Sequence, residues 1–270
     1  RLLNMQIHTN IIKKILSVIA LIGLVITWHP IYAKKKVSKV VIDAGHGGRD
    51  PGCHGVYSYE KDITLAVSKK VGKLIQNELK ETKVIYTRDY DWYPELKERT
   101  DIANREKGDL FVSIHVNSTP RKNSPVKGTL VLVCGPSRIE EKEGAIGENA
   151  NNFEENEGLL DPNDPITQII IAQYSQAFLS QSIVFGSKIN EEFANQGRHT
   201  EGIRQQSLQV LASSAMPGVL VEIGYLNNEE EEQYLNSEEG QNEVALAIFK
   251  GIKYYKEESE KDPIQIKIEN

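Results

Sequence analysis

Cysteine is nearly absent. Cys53 and Cys134 are the only two in 270 residues. Two make no disulfide framework, and a domain this large needs no staple. They could pair in an oxidising compartment, but spacing alone does not bring them together, and free, buried thiols are the expectation. A basic excess is also missing: 32 Lys and Arg stand against 38 Asp and Glu, for a net charge of −6. Nucleic acid requires a basic face, so that partner is excluded. There is no internal repeat and no low-complexity linker. The glycine cluster at residues 45–48 lacks the Lys-Ser/Thr of a phosphate-binding loop.

One long apolar run is present, at residues 11–28. Lys13 and Lys14 lie near its start, and Ile31-Tyr32-Ala33 at its end precedes Lys34-Lys35-Lys36. A basic start, an apolar centre and a small residue at the cut describe a signal peptide over residues 1–33. The alternative is a retained membrane anchor, for which the run is short against a span of about 20 residues. After cleavage the protein would not be integral to a membrane. Residues 1–33 carry three basic groups and no acid, so their removal takes the net charge from −6 to −9.

Beyond residue 36, strands and helices alternate. Residues 39–44 (KVVIDA) read as a buried strand that runs into the turn Gly45-His46-Gly47-Gly48. Ile63, Val67, Val71, Leu74, Ile75 and Leu79 recur at helical spacing and predict a helix over 61–80. Strands are expected at 82–86, 109–114 and 128–133. A helix over 94–105 has Pro94 in its first turn. This rhythm implies one α/β domain over residues 37–256, a mostly parallel central sheet flanked by helices on both faces. The rhythm breaks at 136–165, a polar, acidic segment that is either a disordered loop or a functional insertion. A helix over 166–194 follows, then strands at 206–211 and 219–221. Ser237 caps a last helix reaching about residue 255, with Val244, Ile248, Ile252 and Tyr255 on one face. Residues 257–270 read as a charged flexible tail.

Four polar residues sit where a strand ends or a helix begins: His46 after VVIDA, Glu60 before the first helix, His115 after DLFVSI and Glu222 after VLV. Ligands of α/β sheets bind at the carboxyl ends of strands, which parallel strands bring to one edge. Two histidines and a carboxylate, with a position left for water, make a catalytic zinc pattern. A second carboxylate off the metal can take the water proton and pass it to the leaving amine. That makes His46, Glu60 and His115 the metal ligands and Glu222 the base. Each has a plainer reading: a hydrogen-bonded structural histidine, a helix-start acid favoured by the dipole, or a buried ion-pair partner.

The stretches VVIDAGHGGRDPG, EKDITLAV, TRDYDWYPELKERTDIANREKGDLFVSIHVNS and MPGVLVEIGYLNN resemble, in that order, the blocks of the N-acetylmuramoyl-L-alanine amidases of the zinc-dependent, AmiC-like type. The resemblance runs from about Lys39 to Tyr255. It implies a Zn2+ cofactor held by His46, Glu60 and His115, with Glu222 as catalytic base: the same four residues. It implies peptidoglycan or muropeptides as substrate, cut between the muramoyl lactyl group and L-alanine, in wall remodelling and daughter-cell separation. His54 and Asn117 are candidates for substrate contact. Arg99 and Asn104 read as residues that hold helix and loop in place, and Cys53 as packing. Gly147 to Asn152 (GENANN) resembles the inhibitory helix of some relatives, which makes Glu148 the candidate for an autoinhibitory contact on zinc and implies a protein activator that displaces the insertion. The compartment implied is the periplasm first, secretion or the cell wall second. The rivals are another zinc peptidase of the cell wall and a non-catalytic peptidoglycan-binding regulator.

Overall fold

The computed structural model describes residues 36–149 and 164–261. The segment expected to be a signal peptide, residues 150–163 of the insertion and the tail beyond 261 lie outside the described residues.

Six strands form one sheet: β1 (Lys39–Ala44), β2 (Lys83–Tyr86), β3 (Leu110–Asn117), β4 (Thr129–Cys134), β5 (Thr200–Gln206) and β6 (Gly218–Tyr225), in the spatial order β2-β1-β3-β6-β4-β5. The first four in that order run parallel. β4 turns back antiparallel to β6, and β5 runs parallel to β4. The helices are α1 (Glu60–Glu78), α2 (Leu96–Arg105), α3 (Ile139–Glu148), α4 (Pro165–Asn195), α5 (Gln209–Ala212), α6 (Glu229–Asn236) and α7 (Glu238–Lys261).

Period-two alternation sends each strand's side chains to two different layers. Val40 and Ile42 of β1, Val112, Ile114 and Val116 of β3, and Val219, Val221 and Ile223 of β6 meet α1, α4 and α7 through Ile63, Val67, Val71, Phe185, Ile189, Phe193, Ile248 and Ile252. Each such side chain, fully buried, contributes about 1.5–3 kcal/mol. On the other face Val41, Phe111 and Leu220 pack with Ala103 of α2 and with Val210, Leu211 and Ala212 of α5. Toward the carboxyl edge this second face turns polar, with Asp43, Ser113, His115 and Glu222 following at the same alternation.

Four boundaries differ from expectation. The polar stretch Thr200–Gln206 is the strand, while Gln209–Ala212, expected as strand, is a helical turn. β5 is an edge strand and needs no apolar alternation, and a short apolar run does not by itself distinguish strand from helix. β3 and β6 continue past His115 and Glu222, which therefore lie inside strands rather than at their ends. The last helix runs on to Lys261, through part of the expected tail. Ser237 does cap it, its Oγ accepting from Gly240 N at 2.9 Å. Among the described residues no helix is long and apolar enough to cross a membrane.

Candidate metal centre and active site

The turn after β1 carries the first candidate ligand. His46 adopts a left-handed φ of 60°, an uncommon conformation for a side-chain-bearing residue that surrounding contacts must hold. Two buried arginines hold it. Arg88 donates to the carbonyls of Ala44 and Gly45, each at 2.8 Å. Arg99 donates to the carbonyls of Ala44 and His46, each at 2.7 Å, and pairs with fully buried Asp43 at 2.8 Å. Thr87 and Ser113 hydroxyls also donate to Asp43, each at 2.6 Å. The Arg99 charge and these bonds hold the Asp43 carboxyl low against the opposing effect of burial. Gly45 has no room for a side chain, because a Cβ there would strike the His115 ring.

Glu60 opens α1 and lies between the two histidines. Its Oε1 is 3.2 Å from His46 Nε2 and 2.8 Å from His115 Nδ1, and accepts from Val116 N at 3.0 Å. Its Oε2 accepts from Cys53 N at 2.9 Å. Burial opposes ionisation of Glu60, yet the two histidines hold its carboxyl far below the usual range. His46 Nδ1 lies 2.8 Å from Asp50 Oδ2. With Nδ1 donating to Asp50, Nε2 would be the nitrogen free to bind an ion. Burial would lower the His46 imidazole, but Glu60 and Asp50 raise it to about 9.

Among the described residues one group of donors is close enough to hold a metal ion: His46, Glu60 and His115, one ligand atom from each, all within 4.8 Å of one another. The donors fit zinc in type and number, with a position left open. Glu222 stands beside them as the register partner of His115 on β6. Its Oε2 is buried and has no hydrogen-bond partner among the described residues, and burial pushes its carboxyl up to about 7.

Other candidates fall elsewhere. His54 is exposed in the loop before α1, its ring 6.5 Å from that of Tyr59. Asn117 ends β3, and its side-chain oxygen accepts from Ser118 N at 2.8 Å. Asn104 holds the turn before β6, donating to Ser213 O and accepting from Ala215 N. Both cysteines are free. Cys53 Sγ donates to Val116 O at 3.1 Å, and burial pushes its thiol up, in line with packing. Glu148 is not part of the donor group formed by His46, Glu60 and His115. It lines a cleft with Lys97, Thr100, Asp101 and Asn104 of α2. β4 runs away from the site edge, with Leu130 beside Glu222 and Leu132 beside Leu220, so α3 starts from the opposite end of the sheet, and Glu148 is its last residue. Asp50, Arg88 and Asp43 were not singled out from sequence, although Asp50, four residues after a metal histidine, carries the spacing of an orienting carboxylate.

A parallel sheet that gathers two histidines and a carboxylate at its carboxyl edge, with a second carboxylate beside them, has the layout of a metal-dependent hydrolase. A family model described as N-acetylmuramoyl-L-alanine amidase matches residues 40–254, and the chain belongs to this family. It is similar to the probable N-acetylmuramoyl-L-alanine amidase AmiB of Haemophilus influenzae, 32% identical over 222 residues, which cover 79% of this chain and 51% of the relative. The chain thus spans about half that relative's length. The solved catalytic domain of CwlV, an amidase of Bacillus (Paenibacillus) polymyxa var. colistinus, is 31% identical with a TM-score of 0.59, over 81% of this chain and 97% of the other. The CwlD amidase of Clostridioides difficile, solved in complex with the GerS lipoprotein, is 25% identical with a TM-score of 0.60, over 82% and 98%.

Proposed function

We propose that this protein is a zinc-dependent hydrolase of peptidoglycan that cleaves the amide between the muramoyl lactyl group and L-alanine. The observation that carries the reading is the Glu60 carboxylate set between two imidazoles, next to a Glu222 oxygen that no other group among the described residues uses. His46, Glu60 and His115 would hold the ion. Zinc, when bound there, supplies Lewis acidity that polarises the amide carbonyl and makes water easier to deprotonate.

The chain's own residues do the rest. Glu222 takes the proton of the attacking water as its oxygen bonds to the carbonyl carbon. Glu222 then returns that proton to the departing nitrogen, the C–N bond breaks, and a lactyl carboxylate and a free alanine amine result. Asp50 keeps the His46 ring in one tautomer, and Arg88 and Arg99 keep its backbone in place. The setting that agrees with this chemistry is an exported compartment, the periplasm first, in wall remodelling such as daughter-cell separation. The structure solved for the CwlD amidase with a lipoprotein supports a protein partner as a regulator. Glu148 is left out of the reading, because it lines a cleft along α2 and is not among the donors that could hold the ion.

The test is incubation of the full chain with sacculi, with zinc and with chelator, and mass spectrometry of the products. Zinc-dependent release of stem peptides with a free alanine amine is expected. Cuts elsewhere in the peptide would make the protein a cell-wall peptidase instead, and no cut with zinc bound would leave a regulator.

A further inference from the structure

The loop between the metal turn and α1 is fixed at both ends. At its base Glu60 N donates to Cys53 O and Cys53 N to Glu60 Oε2, each at 2.9 Å. At its tip, fully buried Glu232 of α6 accepts from the backbone of Val56 (2.8 Å), Tyr57 (2.9 Å) and Ser58 (3.0 Å) and from Ser58 Oγ (2.8 Å). Asn236 Nδ2 adds a bond to Ser58 Oγ at 2.9 Å. Gly55 closes against the same carboxylate, and a Cβ there would strike it. Burying a carboxylate is costly unless donors replace its water, and here four do. The result is a stiff loop that holds apolar side chains out in solvent: Val56 is 76% exposed, Tyr57 61% and Tyr59 50%. Exposed large apolar groups in a cluster mark contact surfaces, and a preorganised surface binds at lower entropic cost.

We propose that Tyr57 and Tyr59 form a docking platform for the neutral glycan backbone of the substrate, N-acetylated pyranose rings stacking on the two phenol rings. This rests on the amidase reading and extends it to a subsite. The platform is continuous with the metal centre, since Tyr59 immediately precedes the ligand Glu60. Its surroundings are acidic: Glu229, exposed at the start of α6, and the Glu232 carboxylate, held by neutral donors, both act electrostatically on Tyr57. A stem peptide with free carboxylates is repelled there, whereas a glycan whose muramoyl carboxyls are tied up as amides is not. Aromatic rings supply flat apolar area with a polar tip, which suits a sugar's apolar face and its hydroxyls.

The test uses the full zinc-loaded chain, with neutral N-acetylglucosamine oligosaccharides and glycan-free stem peptide as separate probes in titration calorimetry. The wild type should bind the glycan, and the Tyr57→Ala/Tyr59→Ala double variant should bind it about tenfold more weakly with an unchanged melting temperature. Tyr57→Phe/Tyr59→Phe should restore most of the affinity. Equal glycan affinity in wild type and double Ala variant, loss in the Phe variant as deep as in the Ala variant, or wild-type binding to the stem peptide alone would overturn the platform. Sacculus hydrolysis by the wild type, run in parallel, reports on the amidase reading separately: glycan binding without cleavage would defeat that reading and spare the platform.

Discussion

His115 and Glu222 are register partners on the adjacent parallel strands β3 and β6, so both side chains leave the same face of the sheet. The pairing sets a metal-ligand candidate beside a carboxylate whose Oε2 is buried and unpartnered among the described residues. Burial raises the Glu222 carboxyl to about 7 even though the nearby His115 favours its charged form. A carboxyl poised near neutrality can accept a proton in one step and donate it in the next.

Glu222→Gln is therefore expected to lower kcat on sacculi by about 10²–10⁴-fold while zinc content, measured by atomic absorption, stays at the wild-type level. The metal-free protein gives a second readout. Folding raises this carboxyl from 4.5 to about 7, so the folded state holds the proton more tightly than the unfolded one. The associated stability is fully present below the unfolded value and is lost as pH rises through the folded one. Glu222→Gln removes that loss. Its Tm relative to wild type should climb between about pH 4.5 and 7, by the equivalent of up to about 3 kcal/mol. A Tm difference that is flat with pH would contradict the raised carboxyl.

Sequence pattern reached His46, Glu60, His115 and Glu222 because each follows or precedes an apolar run whose period identifies a strand or helix. The parallel arrangement then required their ends to share an edge. It did not reach Arg88 or Asp43. Arg88 follows an ordinary short strand, and Asp43 sits inside an apolar run, so nothing local marks either as buried and paired; their roles exist only once β1, β2 and α2 meet. β5 was misplaced for a related reason: its polar residues lie on a sheet edge, where pairing rather than burial defines the strand. Glu148 was linked to the metal by motif likeness alone. The reversal of β4 against β6, a long-range feature with no signature in the residues themselves, makes α3 begin at the other end of the sheet and set Glu148 against α2.

Asp50→Asn tests the orientation of His46. The amide keeps the shape but offers the imidazole Nδ1 a weaker and ambiguous partner. Zinc affinity, measured by competition with a chromophoric chelator, is expected to fall about 10–100-fold with little change in secondary structure. Wild-type affinity in the variant would mean that Asp50 does not orient the ligand. Asp50 is partly exposed, so the loss should appear in metal binding rather than in folding.

Arg99→Met tests the clamp beneath the metal turn. The side chains of Arg99 and Asp43 are almost completely buried, and removing one partner leaves an uncompensated charge that typically costs about 3–5 kcal/mol. In a domain of this size that corresponds to a fall in Tm of about 10 °C. Arg99→Lys keeps the charge but not the fork that reaches Asp43, Ala44 O and His46 O together. It should recover part of the stability and less of the zinc affinity. Full zinc affinity in the Lys variant would indicate that Arg99 acts on the fold alone.

Glu148→Ala separates the motif likeness from the geometry. If Glu148 restrained the enzyme from the metal, its removal would raise basal hydrolysis of sacculi. The fold argues the other way. α3 is anchored at the amino-terminal end of β6 by buried Lys142, whose ammonium donates to Leu211 O at 3.0 Å, to Met216 O at 2.8 Å and to Ser214 O. Nothing but carbonyls and a hydroxyl surrounds that charge in its hydrogen bonds, and burial pulls Lys142 down to about 8, so moving α3 would break several charge-assisted bonds at once. From that anchor Glu148 faces Lys97 and Asp101 across the α2 cleft. Its substitution should leave the zinc-dependent rate within about twofold of wild type, as expected of a surface change outside the donor group. A several-fold rise in basal rate would show that α3 leaves its anchor and reaches the metal.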